Sequence, residues 1–224
     1  MISIIDYGVG NLFSLKSSVS AVGREAFVSS DPDELLKADG VILPGVGAFA
    51  DAAAKLRESG LDRTVAEAAR QGKPVLGICL GMQLLFGESL EFGRHKGLGL
   101  IPGVVVPIKG VSPQELKIPQ IGWNSLEYSK NGRKLAPSPL FSGISQGEYV
   151  YFVHSYYADC PDEYISAVTE YGAELTAAVA KGNIFGCQFH PEKSGRTGLK
   201  ILENFCVLSE AAAGNDPGTG GIIC

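Results

Sequence analysis

Lys73-Pro74-Val75-Leu76-Gly77-Ile78-Cys79-Leu80-Gly81-Met82-Gln83 is the stretch on which the reading of this chain turns. Residues 74–78 form a short apolar run, the pattern of a strand buried on both faces in a parallel sheet. Residues 80–86 read as a helix. Cys79 stands at the join, with Gly77 and Gly81 two residues away on either side. A G-x-C-x-G pattern at a strand-to-helix junction is the cysteine form of a nucleophile elbow. So sharp a turn strains its central residue, and neighbours without Cβ relieve the crowding. A sulfur placed there meets a helix N-terminus, where the dipole and free N–H groups favour thiolate over thiol. Taken alone, Cys79 also fits a buried structural cysteine.

Upstream of this stretch, strand and helix alternate. Residues 2–5, 26–28 and 41–43 read as strands. A helix follows Asn11, with Leu12, Leu15, Val19 and Val22 on one face and Gly23 at its end. Asp31-Pro32-Asp33-Glu34 reads as a helix start, with Asp31 as cap, Pro32 at the first position and Glu34 completing a capping box. Residues 48–59 and 61–71 read as two helices divided by Gly60. Such repeated β–α units predict a doubly wound, mostly parallel α/β sheet with right-handed crossovers. Ligands bind such sheets at the carboxyl ends of the strands. The loops at Asp6, Pro44 and Cys79 should therefore converge.

Downstream the pattern changes. Residues 100–108, 120–123, 149–155, 165–169, 177–181 and 184–189 read as strands punctuated by Gly, Pro, Asn and Asp. They predict antiparallel additions to the sheet and a hairpin turning at Lys181-Gly182-Asn183. Residues 114–119 and 130–139 read as loops, and residues 198–209 as the next long helix. One domain is expected over residues 1–210, with a small, glycine-rich, disordered tail over 211–224.

The strand at residues 184–189 runs into His190-Pro191-Glu192. In an extended segment His190 and Glu192 point to the same side, and Pro191 favours extension. A cysteine nucleophile needs a base, and the base needs an orienting group. His190 and Glu192 supply both, although a surface His–Glu pair would look the same. His154, after Tyr151-Phe152-Val153, reads as a satisfied core or near-site histidine. Cys160, Cys187 and Cys206 read as packing residues.

Bulk properties narrow the function classes. The chain has 224 residues, 45% hydrophobic and 19% charged, with net charge −5. That composition is globular, and without a basic cluster it argues against nucleic acid. The apolar runs are too short to span a bilayer, and Met1 leads directly into a strand with no signal-peptide pattern. Five scattered cysteines without a C-x-x-C pair argue for a reducing, cytoplasmic compartment, with no disulfide framework and no metal site expected.

The Gly77–Gln83 elbow together with His190-Pro191-Glu192 resembles the class I (triad) glutamine amidotransferases. Further stretches resemble one branch of that family, the glutaminase subunits of imidazole glycerol phosphate synthase. They are Asp6-Tyr7-Gly8-Val9-Gly10-Asn11, Leu43-Pro44-Gly45-Val46-Gly47-Ala48-Phe49, Ile121-Gly122-Trp123-Asn124 and Phe152-Val153-His154-Ser155-Tyr156. The resemblance spans residues 2–208. It implies hydrolysis of glutamine by a Cys79–His190–Glu192 triad, no cofactor, and ammonia passed to a (β/α)-barrel cyclase partner in a heterodimer. It also implies oxyanion donors from Leu80 and the Gly45-Val46-Gly47 loop, and glutamine binding at Gly47, Gln83, Ser155 and Tyr156. The Gly45–Val46 peptide is expected to rest with its carbonyl inward and to flip when the cyclase partner and the nucleotide held there bind. Asn11, Trp123, Tyr151 and Lys193 are expected at the partner interface. One departure is Gln120, where members usually carry histidine, and its effect is expected near that interface. Three other readings remain: the glutaminase subunit of a different synthase, a stand-alone cysteine hydrolase, and a catalytically silent binding subunit. The spacing of the Pro44–Gly47 loop argues against the first and the intact triad set against the last.

Overall fold

The computed structural model describes residues 1–111, 113 and 116–214. The first half follows the expected alternation: β1 (Ile2–Ile5), α1 (Leu12–Ala21), β2 (Ala26–Ser29), α2 (Pro32–Leu35), β3 (Gly40–Leu43), α3 (Phe49–Glu58), α4 (Leu61–Arg70), β4 (Val75–Ile78) and α5 (Leu80–Leu84). The second half carries β5 (Phe86–Ser89), β6 (His95–Lys96), β7 (Ile101–Pro107), β8 (Gln120–Ser125), β9 (Ser129–Lys130), β10 (Arg133–Lys134), β11 (Tyr149–His154) and β12 (Tyr156–Asp159). It ends with β13 (Ile165–Glu170), β14 (Glu174–Lys181), β15 (Ile184–Cys187) and α6 (Gly195–Gly214).

The main sheet has seven strands in the order β13-β14-β15-β4-β3-β1-β2. From β15 to β2 every pairing is parallel, and β13 and β14 extend the sheet antiparallel. Successive residues of the central strands face opposite cores. Ile5 and Leu43 pack with Leu56 and Val65 of α3 and α4. Ile4 and Ile42 pack with Leu15 of α1 and Phe205 of α6. Burial on both faces is why these strands carry no polar alternation.

Several expectations need correction. The helix after Cys79 stops at Leu84, and Phe86–Ser89 is a strand paired in parallel with β7. The strands at β7, β8, β11 and β12 do not join the main sheet. They form a four-stranded sheet, β12-β7-β5-β6, and a separate β11-β8 ribbon. Residues 130–139 include β10 and the end of β9, which pair as a small hairpin. At α2, Asp31 caps as expected by accepting from Asp33 N and Glu34 N. Glu34 does not reach back to Asp31 N–H, which donates to Ser29 Oγ, and Ser29 in turn donates to Glu34. The last helix runs to Gly214, so residues 211–214 belong to it and not to a tail. Residues 215–224, where the rest of that tail was expected, lie outside the described residues.

Candidate active site

Cys79 ends β4 with φ 53° and ψ −111°, a strained backbone for a residue with a Cβ. Close packing explains the two glycines around it. A Cβ on Gly81 would stand 1.9 Å from Leu43 O, and one on Gly77 would stand 2.7 Å from Gly81 O. The strained turn is further held by Cys79 N–H, which donates to Cys187 O at 2.7 Å.

The base arrives from the next strand. β15 pairs in parallel with β4, Cys187 opposite Ile78, so the residues after β15 emerge beside Cys79. His190 Nδ1 lies 2.8 Å from Glu192 Oε1. The segment is not extended as the sequence suggested. His190 itself is extended, but Pro191–Lys193 forms a 3-10 turn, and the turn brings the carboxylate under the ring. His190 N–H donates to Tyr151 O at 2.9 Å. Ser194 Oγ donates to His190 O at 2.6 Å and accepts from Tyr151 N–H at 3.0 Å, latching the turn to β11. Burial pulls the imidazole pKa down, yet the neighbouring Cys79 and the hydrogen-bonded Glu192 outweigh it and raise it to about 9. The free nitrogen, Nε2, is buried and makes no hydrogen bond of its own.

A cleft of about 300 Å³ opens over Cys79. Val46, Gly47, Leu80, Gln83, Ser155 and Tyr156 all line it, so the structure brings most of the sequence-derived binding positions together. Gly45 lies beneath, where a Cβ would come within 2.7 Å of Gly81 N and 2.9 Å of the Leu80 Cβ. Tyr7 O–H donates to Pro44 O at 2.8 Å, which ties the loop after β1 to the loop after β3. Burial, with a smaller effect from Cys79, pushes the Tyr7 pKa up, so the phenol stays a donor.

The wall of the cleft is a buried polar network. Tyr156 O accepts from Gln83 Nε2 at 3.1 Å and from His154 Nδ1 at 2.8 Å. Burial, with a contribution from His190, lowers the His154 pKa to about 4, so this ring is neutral. His154 Nε2 lies 3.0 Å from Gln120 Oε1; with its proton on Nδ1 the ring can only accept there, so a hydrogen bond forms when the Gln120 amide is turned to present its nitrogen. Gln120 is 2% exposed and lies behind the cleft-lining His154.

Residues 3–208 match the glutamine amidotransferase class-I family. The chain belongs to that family. It is 51% identical over 211 residues to the imidazole glycerol phosphate synthase subunit HisH of Bacillus cereus (strain G9842), covering 94% of this chain and 96% of the relative. To the HisH of Bacillus mycoides (strain KBAB4) it is 48% identical over the same shares. A crystal structure of a glutamine amidotransferase superposes with a TM-score of 0.71 at 18% identity, covering 93% of this chain and 98% of that one. The structure of PurLQS from Thermotoga maritima gives 0.68 at 22%, covering 92% of this chain and 97% of that one. At those identities the two structures share the fold alone.

Within this glutamine amidotransferase, the other cysteines among the described residues are buried outside the cleft. Burial pushes the thiols of Cys160 and Cys206 up to about 12 and about 11, and that of Cys187 higher still. Away from the cleft, Trp123 is 51% exposed and stands edge-on to Tyr151, ring centroids 6.2 Å apart. Lys193 Nζ lies 5.8 Å from the Tyr151 ring centre. Asn11 is occupied locally, its side chain accepting from Ser14 N–H as the cap of α1. Two residues escaped the sequence reading. Glu91 lines the cleft and accepts from Phe49 N–H, and nothing in its loop context marks it. Gln188 is fully buried and donates to Cys79 Sγ at 3.8 Å. Its signal was present: it is the one side chain with an amide in an apolar strand end.

Proposed function

We propose that Cys79, His190 and Glu192 hydrolyse glutamine to glutamate and ammonia. The observation that carries this is the strained cysteine at an elbow, beside a buried His–Glu pair, under a cleft large enough for an amino acid. Cys79 Sγ attacks the side-chain carboxamide carbon of glutamine. His190 takes the thiol proton through Nε2 and gives it to the departing ammonia. A raised imidazole pKa suits that second transfer, and Glu192 fixes the tautomer and favours the imidazolium. Water then hydrolyses the glutamyl thioester by the same base. The oxyanion is met by Leu80 N–H at the start of α5 and by an N–H from the Gly45–Val46 loop.

Glutamine is held by Gly47, Gln83, Ser155 and Tyr156, with Glu91 added. Both Gln83 amide hydrogens are taken, by Tyr156 O and Gln188 Oε1. Gln83 therefore meets the substrate only as an acceptor, and with the Glu91 carboxylate it suits the α-ammonium group.

The ammonia passes to a (β/α)-barrel cyclase partner making imidazole glycerol phosphate in histidine biosynthesis, in the cytoplasm. The HisH relatives, named as subunits of that synthase, support this assignment. Trp123, Tyr151 and Lys193 form the docking cluster, with Asn11 at its edge. A single comparison tests the whole reading. Cys79→Ala in the complex should lose glutamine-dependent product and keep product formed from added ammonium salts at raised pH. Loss of both, with the complex intact, overturns it.

A further inference from the structure

Behind Cys79 lies a buried run of side-chain amides that the triad does not use. A backbone carbonyl sets its direction. Tyr156 O can only accept, so Gln83 presents its nitrogen there, at 3.1 Å. The second hydrogen on that nitrogen goes to Gln188 Oε1 at 3.0 Å. The Gln188 carbonyl is thereby committed, and its amide nitrogen faces Cys79 Sγ at 3.8 Å. On another side, Sγ lies 3.9 Å from Val153 O. A thiol can donate to that carbonyl. A thiolate cannot, and the carbonyl dipole then opposes the charge. An N–H donor is what offsets that opposition, and Gln188 supplies one from a site with no exposure to water.

We propose that Gln188 is a further catalytic residue: its amide N–H holds the Cys79 sulfur as thiolate, with its orientation enforced by Gln83. The catalytic half of the proposal rests on the glutaminase reading, while the effect on the sulfur stands apart from it. Gln83 also faces the cleft, so one side chain both orients the donor to the sulfur and contacts the substrate. A substrate held at Gln83 Oε1 therefore steadies the donor that activates the nucleophile. The other titratable groups around the sulfur are His190 and Glu192 after β15, Tyr7 after β1, Glu91 across the cleft and neutral His154 on β11.

The test uses the full chain and iodoacetamide, a small uncharged electrophile that needs no glutamine pocket. Alkylation of Cys79 is followed by mass spectrometry across pH for wild type, Gln188→Met and Gln83→Met. Methionine keeps the length and lacks the donor. One hydrogen bond to a charged group is worth roughly tenfold or more in an equilibrium. In Gln188→Met the midpoint should therefore rise by about one pH unit, with alkylation at neutral pH about tenfold slower. Gln83→Met leaves Gln188 in place but frees its amide, so the midpoint should rise by less. In the complex, Gln188→Met should lower kcat for glutamine about tenfold with KM little changed. A residue that only filled space would leave the alkylation midpoint where it was, and an unmoved midpoint in either variant overturns the proposal. If the midpoint rises but the wild-type complex turns over no glutamine, the glutaminase reading falls and the sulfur donor stands.

Discussion

His190 Nδ1 and Glu192 Oε1 stand 2.8 Å apart with only Pro191 between them in the chain. The 3-10 turn that makes this pair also leaves Nε2 without a hydrogen-bond partner, which the proposed role as base requires. The two residues are expected to be unequal. Loss of the base removes proton transfer in both half-reactions, so His190→Ala should lower kcat for glutamine by about 10²–10⁴-fold. Glu192→Gln should cost less, because the Tyr151 and Ser194 contacts still hold the backbone at His190. Steady-state rates in the complex check both. A His190→Ala enzyme as fast as wild type would remove the triad.

Trp123 stands on β8 directly across from Tyr151 on β11, and half of its surface is open to solvent. A large exposed aromatic in a cluster with a tyrosine and a lysine suits an interface anchor, a setting in which tryptophan is enriched. Trp123→Ala is expected to weaken binding of the cyclase by roughly 1–4 kcal/mol. Because the ring is not part of the core, the free chain should melt at an unchanged temperature. Calorimetric titration and thermal unfolding separate the two effects, and unaltered affinity would move the interface elsewhere.

The parts of this fold that follow local patterns were legible from the chain. Apolar runs bounded by glycine placed β1, β3, β4 and β15, and the Gly182-Asn183 turn placed the β14-β15 hairpin. The candidate triad was legible for the same reason: each member sits at the end of a strand whose neighbour could be guessed. What failed was non-local. Phe86 ends the apolar run Leu84-Leu85-Phe86, and periodicity cannot distinguish a longer helix from the strand that starts there. Nor does an alternating pattern say which sheet a strand joins, so β8 and β11 were misassigned to the main one. The contact of Gln120 with His154 is not legible locally, because the two lie 34 residues apart in the chain. The amide contacts of Gln188 span still longer separations.

His154 offers a pH test with a defined sign. Its pKa in the folded protein is about 4, below the ordinary 6.5, because burial disfavours the charged ring. Between those values the unfolded chain takes up a proton that the folded one refuses. The stabilisation is thus complete above pH 6.5 and is lost as pH falls towards 4, by roughly 3 kcal/mol. Urea unfolding at several pH values should show this loss in wild type. His154→Gln, which has nothing to titrate, should show a decline shallower by about that amount. Parallel declines would mean that the ring takes up its proton at the same pH in the fold as in the unfolded chain.

The last prediction concerns the Gly45–Val46 peptide and the silence of the free chain. One oxyanion donor is worth roughly 10²–10³-fold in rate, so withholding one is enough to idle the reaction. The loop is suited to this because its two ends are unlike. At Pro44 it is pinned by the Tyr7 hydroxyl, and the Gly45 α-carbon is wedged against the backbone of Gly81. At Gly47, φ is +95° and a Cβ would meet nothing within 4 Å. Val46 between them is 42% exposed and its side chain is free to swing. The peptide can therefore turn over while both ends stay put, exchanging a carbonyl for an N–H at the cleft. We expect the carbonyl to face inward in the free chain and the cyclase with its nucleotide to reverse it. Val46 resists the turn through its branched Cβ, so Val46→Gly should raise glutamine turnover of the free chain, by up to the 10²–10³-fold that one donor supplies. Gly45→Ala should do the opposite, since its methyl would press on Gly81 N in either state. Turnover is compared for the free chain, the complex and the nucleotide-bound complex. If the free wild-type chain were as fast as the nucleotide-bound complex, the peptide switch would be excluded and a hydrolase that works alone favoured.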